Sequence, residues 1–314
     1  MKRTQIMHAQ AQTGEHQPVM LHEALEGLQI KPAGRYLDAT FGRGGHSRAI
    51  LARLGGEGRL LGFDRDPQAC LAGESLAAAD ARLSIRHANF ADLALELEAG
   101  TWDGVLFDFG VSSPQLDQAE RGFSFMRDGP LDMRMDPGHG PSAAEWLGIV
   151  AESDLGQVLE QWGEERHARR LARAIVARRA TEPFQRTLEL AEFIASQLPR
   201  VYTGIHPATR AFQAIRIAVN DELGAIDRGL DAAHRVLAPG GRLVAISFHS
   251  LEDRRVKTFV QQHSRQPQAS RRLPPIASAP STLIDLGKRR ASDAEVARNP
   301  RSRSAVMRVA ERVA

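Results

Sequence analysis

The chain has 314 residues, 42% of them hydrophobic and 25% charged, a balance that suits a folded protein with room for two domains, or for one domain with a large insertion. No apolar run approaches the length of a membrane span, and the start, Met1-Lys2-Arg3-Thr4-Gln5, lacks the apolar stretch of a secretory signal, so the expected location is the cytoplasm with no membrane partner. The net charge of +3 hides an asymmetry: residues 254–314 hold fourteen Lys or Arg against four Asp or Glu, which fits a polyanionic partner or a solvated tail.

The first predicted element is a strand at 36–39 that runs into Thr40-Phe41-Gly42-Arg43-Gly44-Gly45-His46-Ser47 at a helix start. A second strand at 59–63 ends on Asp64, twenty residues past Gly44. Glycines let the backbone approach a ligand closely, and an acid at that distance can bind the ribose hydroxyls of the same ligand. The spacing Gly42-x-Gly44-Gly45 lacks the G-x-G-x-x-G pattern that sets a pyrophosphate on a helix N-terminus, and Asp38 would repel one. A carboxylate at 38 could instead organise the ammonium of a methionine moiety, which favours S-adenosylmethionine (AdoMet) over a dinucleotide. The bland alternative is a tight turn capped by Asp38. The single cysteine, Cys70, excludes an internal disulfide and a cysteine-based metal cluster, and reads as a small buried residue on the next helix.

A third strand at 82–86 precedes His87-Ala88-Asn89-Phe90, whose ring could lie against an adenine or in the core. The fourth, 103–108, delivers Asp108-Phe109-Gly110-Val111-Ser112-Ser113-Pro114-Gln115 to the carboxyl end of the sheet, where ligands of doubly wound sheets bind. Taken alone, Asp108 reads equally well as a strand-end cap. Ser-Ser-Pro-Gln loosely resembles the (Asp/Asn/Ser)-Pro-Pro-aromatic motif of amino-group methyltransferases, with one proline and no aromatic. Acceptors at such a motif hold both hydrogens of an exocyclic amine and free its lone pair for in-line displacement at a sulfonium methyl. Methylation at pyrimidine carbon 5 needs a thiolate beside the base, and Cys70 is badly placed for that; an amino nitrogen or a hydroxyl remains open.

After a Gly- and Pro-rich stretch at 122–141, residues 142–200 read as consecutive helices, with Ser153 and Thr187 as caps. Within them, 164–180 sets Ala168, Leu171, Ala172, Ile175 and Val176 on one face and six arginines largely on the rest, a surface for phosphate or simply for solvent. One long helix is predicted from Pro207 to Leu237, then Pro239-Gly240-Gly241, a strand at 242–247, a mobile loop at 261–281 and a last strand at 302–309. The expected fold is therefore α/β and Rossmann-like, with residues 1–120 and 206–314 forming a discontinuous methyltransferase domain and 121–205 an inserted all-helical domain.

Together these stretches resemble the ribosomal RNA small subunit methyltransferase H family, bacterial enzymes that methylate the amino nitrogen of a decoding-centre cytidine in 16S rRNA. The likeness rests on His16-Gln17-Pro18-Val19-Met20, DATFGRGGHS at 38–47, GFDRDP at 62–67, DFGVSSPQLD at 108–117 and RGFSFMRDGPLDMRMD at 121–136. It continues through HPATRAFQAIRIAVNDEL at 206–223, PGGRLVAISFHSLEDRRVK at 239–257 and NPRSRSAVMRVAER at 299–312. The resemblance implies AdoMet as cofactor, with Gly44, Gly45 and His46 at its methionine end, Asp64 at its ribose, Phe90 beside its adenine, and Asp108 and Gln115 completing the pocket. It implies 16S rRNA of the small ribosomal subunit as partner, with Asp108, Ser112 and Ser113 acting on the amine and Ser247-Phe248-His249-Ser250 shaping the cytidine site. No metal-ligand cluster stands out, and monomer or homodimer stays open. This chain differs from the family pattern in a longer extension before His16 and a Gln/Pro-rich stretch at 261–281. Two other readings compete: an amino-methyltransferase of DNA, and a ribosome-assembly factor that keeps the fold without the chemistry.

Overall fold

Short apolar runs bounded by turns form most of the strands, which in chain order are β1 (Arg35–Asp38), β2 (Arg59–Asp64), β3 (Leu83–His87), β4 (Trp102–Asp108), β5 (Leu237–Ser247), β6 (Leu283–Arg290) and β7 (Val306–Arg312). A computed structural model describes residues 18–199, 206–264 and 280–313. His16, Gln17, the N-terminal extension and most of the 261–281 stretch lie outside the described residues. The sheet order is β3-β2-β1-β4-β5-β7-β6. β1 to β5 run parallel, and β7 is antiparallel to both of its neighbours. This is the expected Rossmann-like α/β fold. The order reverses between β1 and β4, so their carboxyl ends diverge and leave a crevice at the switch point.

Strand periodicity assigns the two faces of the sheet. Leu37, Phe63, Val105, Phe107 and Ala245 pack with Ile226, Leu230 and Ala233 of the helix Glu222–Val236. Tyr36, Leu60, Leu106 and Val244 pack on the other side with Ile50, Leu25 and Leu28. A separate cluster forms between β4 and β5, where Leu155, Leu159, Leu171, Ile175, Leu190, Ile194 and Ile215 are fully buried. They come from the helices Glu152–Gln161, Ala168–Arg179, Thr187–Gln197 and Thr209–Asn220.

Several boundaries differ from expectation. Ser153 does not cap: Ala151 holds that position and the Ser153 hydroxyl turns to Asp154 at 3.1 Å. Arg186, not Thr187, precedes its helix, because the Thr187 hydroxyl is taken by the Gly129 N–H at 3.1 Å. The long helix breaks at Asp221, which is left-handed at φ 47 and starts a new helix at Glu222. β6 was not foreseen; seven of its eight residues are exposed, since it forms the sheet edge. The last strand begins at Val306, after a 3-10 turn over Pro300–Ser304. Residues 280–313 of the basic C-terminal region are thus part of the sheet and its connections and not a free tail, although Lys288, Arg289 and Arg290 are exposed on its edge.

Candidate functional site

A cleft of about 1280 Å³ opens at the carboxyl ends of β1, β2 and β4. Its first wall is the glycine loop. Gly42 (φ 55) donates its N–H to Asp64 Oδ2 at 2.7 Å, and Gly44 (φ 72) takes the left-handed turn that starts the helix Gly45–Leu51. A Cβ at Gly44 would stand 2.6 Å from the Phe41 ring, so this glycine serves the turn, while Gly45 and His46 line the cleft. Asp38 is fully buried behind the loop. It accepts the Ser47 hydroxyl at 2.6 Å and the Thr40 N–H at 3.4 Å. Burial raises its pKa against the pull of His46 and Ser47. Asp38 therefore anchors the turn and does not face a ligand, which corrects the expectation of an ammonium partner.

Asp64 ends β2 on the cleft wall and accepts two backbone N–H groups, from Gly42 at 2.7 Å and Asp66 at 2.8 Å. Burial pushes its carboxyl up to about 6, although both hydrogen bonds favour the ionised form. Phe90 also lines the cleft, set edge-on to Phe107 at 5.4 Å between ring centres. Cys70 lies behind Asp64, its thiol donating to the Asp64 carbonyl at 3.3 Å. Burial raises that thiol to about 12, which fits the inert role expected for it.

The loop after β4 supplies the opposite wall. The Asp108 N–H donates to Thr40 Oγ1 at 2.7 Å, tying the ends of β4 and β1 together. The Asp108 side chain, 26% exposed, puts Oδ2 3.5 Å from His46 Nε2, and its Oδ1 has no hydrogen-bond partner. Burial disfavours a charged His46 ring, but Asp108, with Asp38 and Glu295 behind it, outweighs burial and raises the His46 pKa. Gln115 is buried and held at both ends of its amide: Oε1 accepts the Ser112 N–H at 2.9 Å and Nε2 donates to Asp66 at 2.9 Å. Ser112 starts the short helix Ser113–Asp117, and the Ser113 hydroxyl meets the Arg301 guanidinium. The expected site residues line one cleft except Asp38, Gly44 and, of the 247–250 stretch, Ser247, His249 and Ser250; Phe248 lines it.

Glu222, Glu252 and Arg301 also line the cleft and were not expected as site residues. Glu222 and Glu252 sit just inside helix starts, and Arg301 lies in the 299–312 block, so all three fall within the sequence blocks that carry the resemblance. Glu222, His249 and Glu252 bring potential ligand atoms within 4.8 Å of one another, a cluster that sequence spacing did not reveal. On the helix Ala168–Arg179 the expected apolar residues are buried or half-buried, but Arg170, Arg173, Arg178 and Arg179 each contact a neighbouring protein group.

A carboxylate at the second strand, an aromatic ring after the third and a glycine turn after the first suit an adenosine-containing ligand. The unpartnered atoms of His46 and Asp108 give its polar end places to bind. The family model described as the MraW methylase family matches residues 13–313. The chain is 55% identical over 317 aligned residues to a protein of Stenotrophomonas maltophilia (strain K279a) called ribosomal RNA small subunit methyltransferase H, with 98% of each chain covered. It is 54% identical to one of the same description from Xanthomonas euvesicatoria pv. vesicatoria, covering 95% of this chain and 89% of the relative. The chain belongs to the MraW methylase family, together with these ribosomal RNA small subunit methyltransferases H.

Proposed function

We propose that this chain methylates the exocyclic amino nitrogen, N4, of a decoding-centre cytidine in the 16S rRNA of the small ribosomal subunit, acting in the cytoplasm. The methyl donor is AdoMet, which supplies an electrophilic methyl carried on a positively charged sulfur. The observation that carries the reading is Asp108: it emerges from β4 at the switch point with Oδ1 unpartnered, on the same cleft as Asp64 and Phe90. Asp64 holds the ribose hydroxyls, Phe90 lies on the adenine side, and Gly45 and His46 approach the methionine end. Asp108, with Ser112 and Ser113 on the loop beyond it, accepts from the target amine and keeps the nitrogen lone pair aimed at the methyl. The work is positioning and electrostatics, with no covalent enzyme intermediate. The inserted region, 121–205, whose helices share a core with the helix Thr209–Asn220, presents the rRNA.

Small subunits from cells lacking the gene, incubated with labelled AdoMet and digested for mass spectrometry of the nucleosides, should yield N4-methylcytidine. Another methylated nucleoside would refute the target. Replacing Asp108 with Ala should lower turnover by at least about 100-fold; a rate near wild type would remove Asp108 from the mechanism.

A further inference from the structure

Beside the Asp108 loop stands a carboxylate that the reaction as described leaves idle. Glu252 is 1% exposed, and its Oε2 accepts the backbone N–H groups of Phe248 and His249 at 2.7 and 3.2 Å. Its Oε1 has no hydrogen bond. His249 Nε2 lies 3.1 Å away, within ion-pair reach, and neither His249 ring nitrogen makes a hydrogen bond. Oε1 sits 3.9 Å from where a Cβ on Gly110 would stand, on the cleft that Asp108 also lines. Burial of a carboxylate oxygen without a donor is costly, and such an atom calls for a ligand that brings a hydrogen.

Two ligands could answer: a divalent cation held with Glu222 and His249, or an N–H of the substrate. Charge decides between them. Both Glu222 oxygens receive the Arg216 guanidinium, at 2.7 and 2.8 Å, so the charge of one of the two carboxylates is already matched and one lone pair on each of its oxygens is taken. What remains is one anionic oxygen beside an imidazole, an acceptor for a single N–H and a poor cage for an ion. Burial works against ionisation of Glu252, but His249 and the Phe248 N–H outweigh it and lower its pKa, so it is a carboxylate at neutral pH.

We infer that Glu252 Oε1 is the second acceptor for the target amine, taking one N–H while Asp108 takes the other across the space left by Gly110. The inference rests on the cytosine-amine reading above. Holding both hydrogens draws the nitrogen towards a pyramidal shape with its lone pair out of the ring system. On transfer the nitrogen–carbon bond forms and the sulfur keeps the electron pair of the broken bond, becoming a neutral thioether. The proton that the nitrogen sheds passes to the Glu252 carboxylate, which His249 orients. The arrangement also selects the base: uracil presents a carbonyl oxygen where cytosine presents its amine, and a carbonyl has no hydrogen to give to two carboxylates.

The test is Glu252→Gln, which keeps an oxygen for the two backbone donors and removes the charge. Assayed on subunits from cells lacking the gene, it should lose about 100-fold in kcat. KM for the subunit and the AdoMet Kd measured by calorimetry should stay at wild-type values, and Glu252→Asp should recover part of the rate. A wild-type kcat in Glu252→Gln, beside wild-type enzyme that makes N4-methylcytidine, overturns the assignment. So does loss of AdoMet binding in the variant, which marks a structural role, or wild-type turnover that chelation abolishes and manganese restores. If wild-type enzyme makes a different nucleoside, the target reading has failed, and this assignment with it.

Discussion

In the proposed function Asp64 couples proton binding to cofactor binding. Burial raises its carboxyl from 3.8 to about 6, so the folded chain binds that proton more readily than the unfolded chain. The contribution of this group to stability therefore falls as pH rises from 3.8 to about 6 and stays unfavourable above. Ribose hydroxyls donate to the ionised form, so AdoMet affinity should run the opposite way and weaken as pH drops through about 6. Calorimetry on either side of that pH checks it, and Asp64→Asn should flatten the profile. Asp64 was legible because a strand, a glycine turn and a spaced acid make a local pattern. Asp38 was misread because sequence does not tell a carboxylate facing a ligand from one accepting Ser47 behind the turn. The Ser113 partner, Arg301, lies 188 residues away, a distance no motif spans.

Where elements meet, buried ion pairs and caps decide how firmly the cleft is framed. Asp66 caps the helix Pro67–Ala79 by accepting the Gln68 N–H, and also receives Gln115 and Arg121 at 2.9 and 2.8 Å. That joins the end of β2 to the loop after β4. Arg121 and Asp66 side chains are 9% and 6% exposed, so Arg121→Met leaves a buried charge short of its partner and should cost about 3–5 kcal/mol by urea unfolding. The double variant with Asp66→Asn should recover much of the loss. Elements with a continuous apolar run, such as β1, β2 and β4, were readable in the sequence. β6 was not, because only Leu283 of its eight residues is buried and an exposed edge carries no hydrophobic period. The break at Asp221 involves neither Gly nor Pro and so left no mark in the helical pattern.

On the scale of the whole molecule, two cores meet at Asn220. Its amide donates to the Met133 carbonyl at 2.7 Å and accepts the Met135 N–H at 2.8 Å, while its carbonyl accepts Arg65 at 2.8 Å. Leu171 is fully buried in the helical cluster, away from the cleft. Leu171→Ala should cost about 2–5 kcal/mol in stability, with the AdoMet Kd unchanged; a matching fall in AdoMet affinity would show the two cores to be one cooperative unit. The overall fold and the family were readable because the sequence blocks run through most of the chain, and the family match over residues 13–313 bears out that resemblance. Arg301, just ahead of β7, contacts both Ser113 and Asp117. The loop after β4 thus gains its anchor from a residue 188 positions further along the chain. Both contacts run through the Arg301 guanidinium alone, and the motif that carries Ser113 and Asp117 holds no trace of it. The shape of that loop is therefore a property of the finished sheet and not of the segment that carries it.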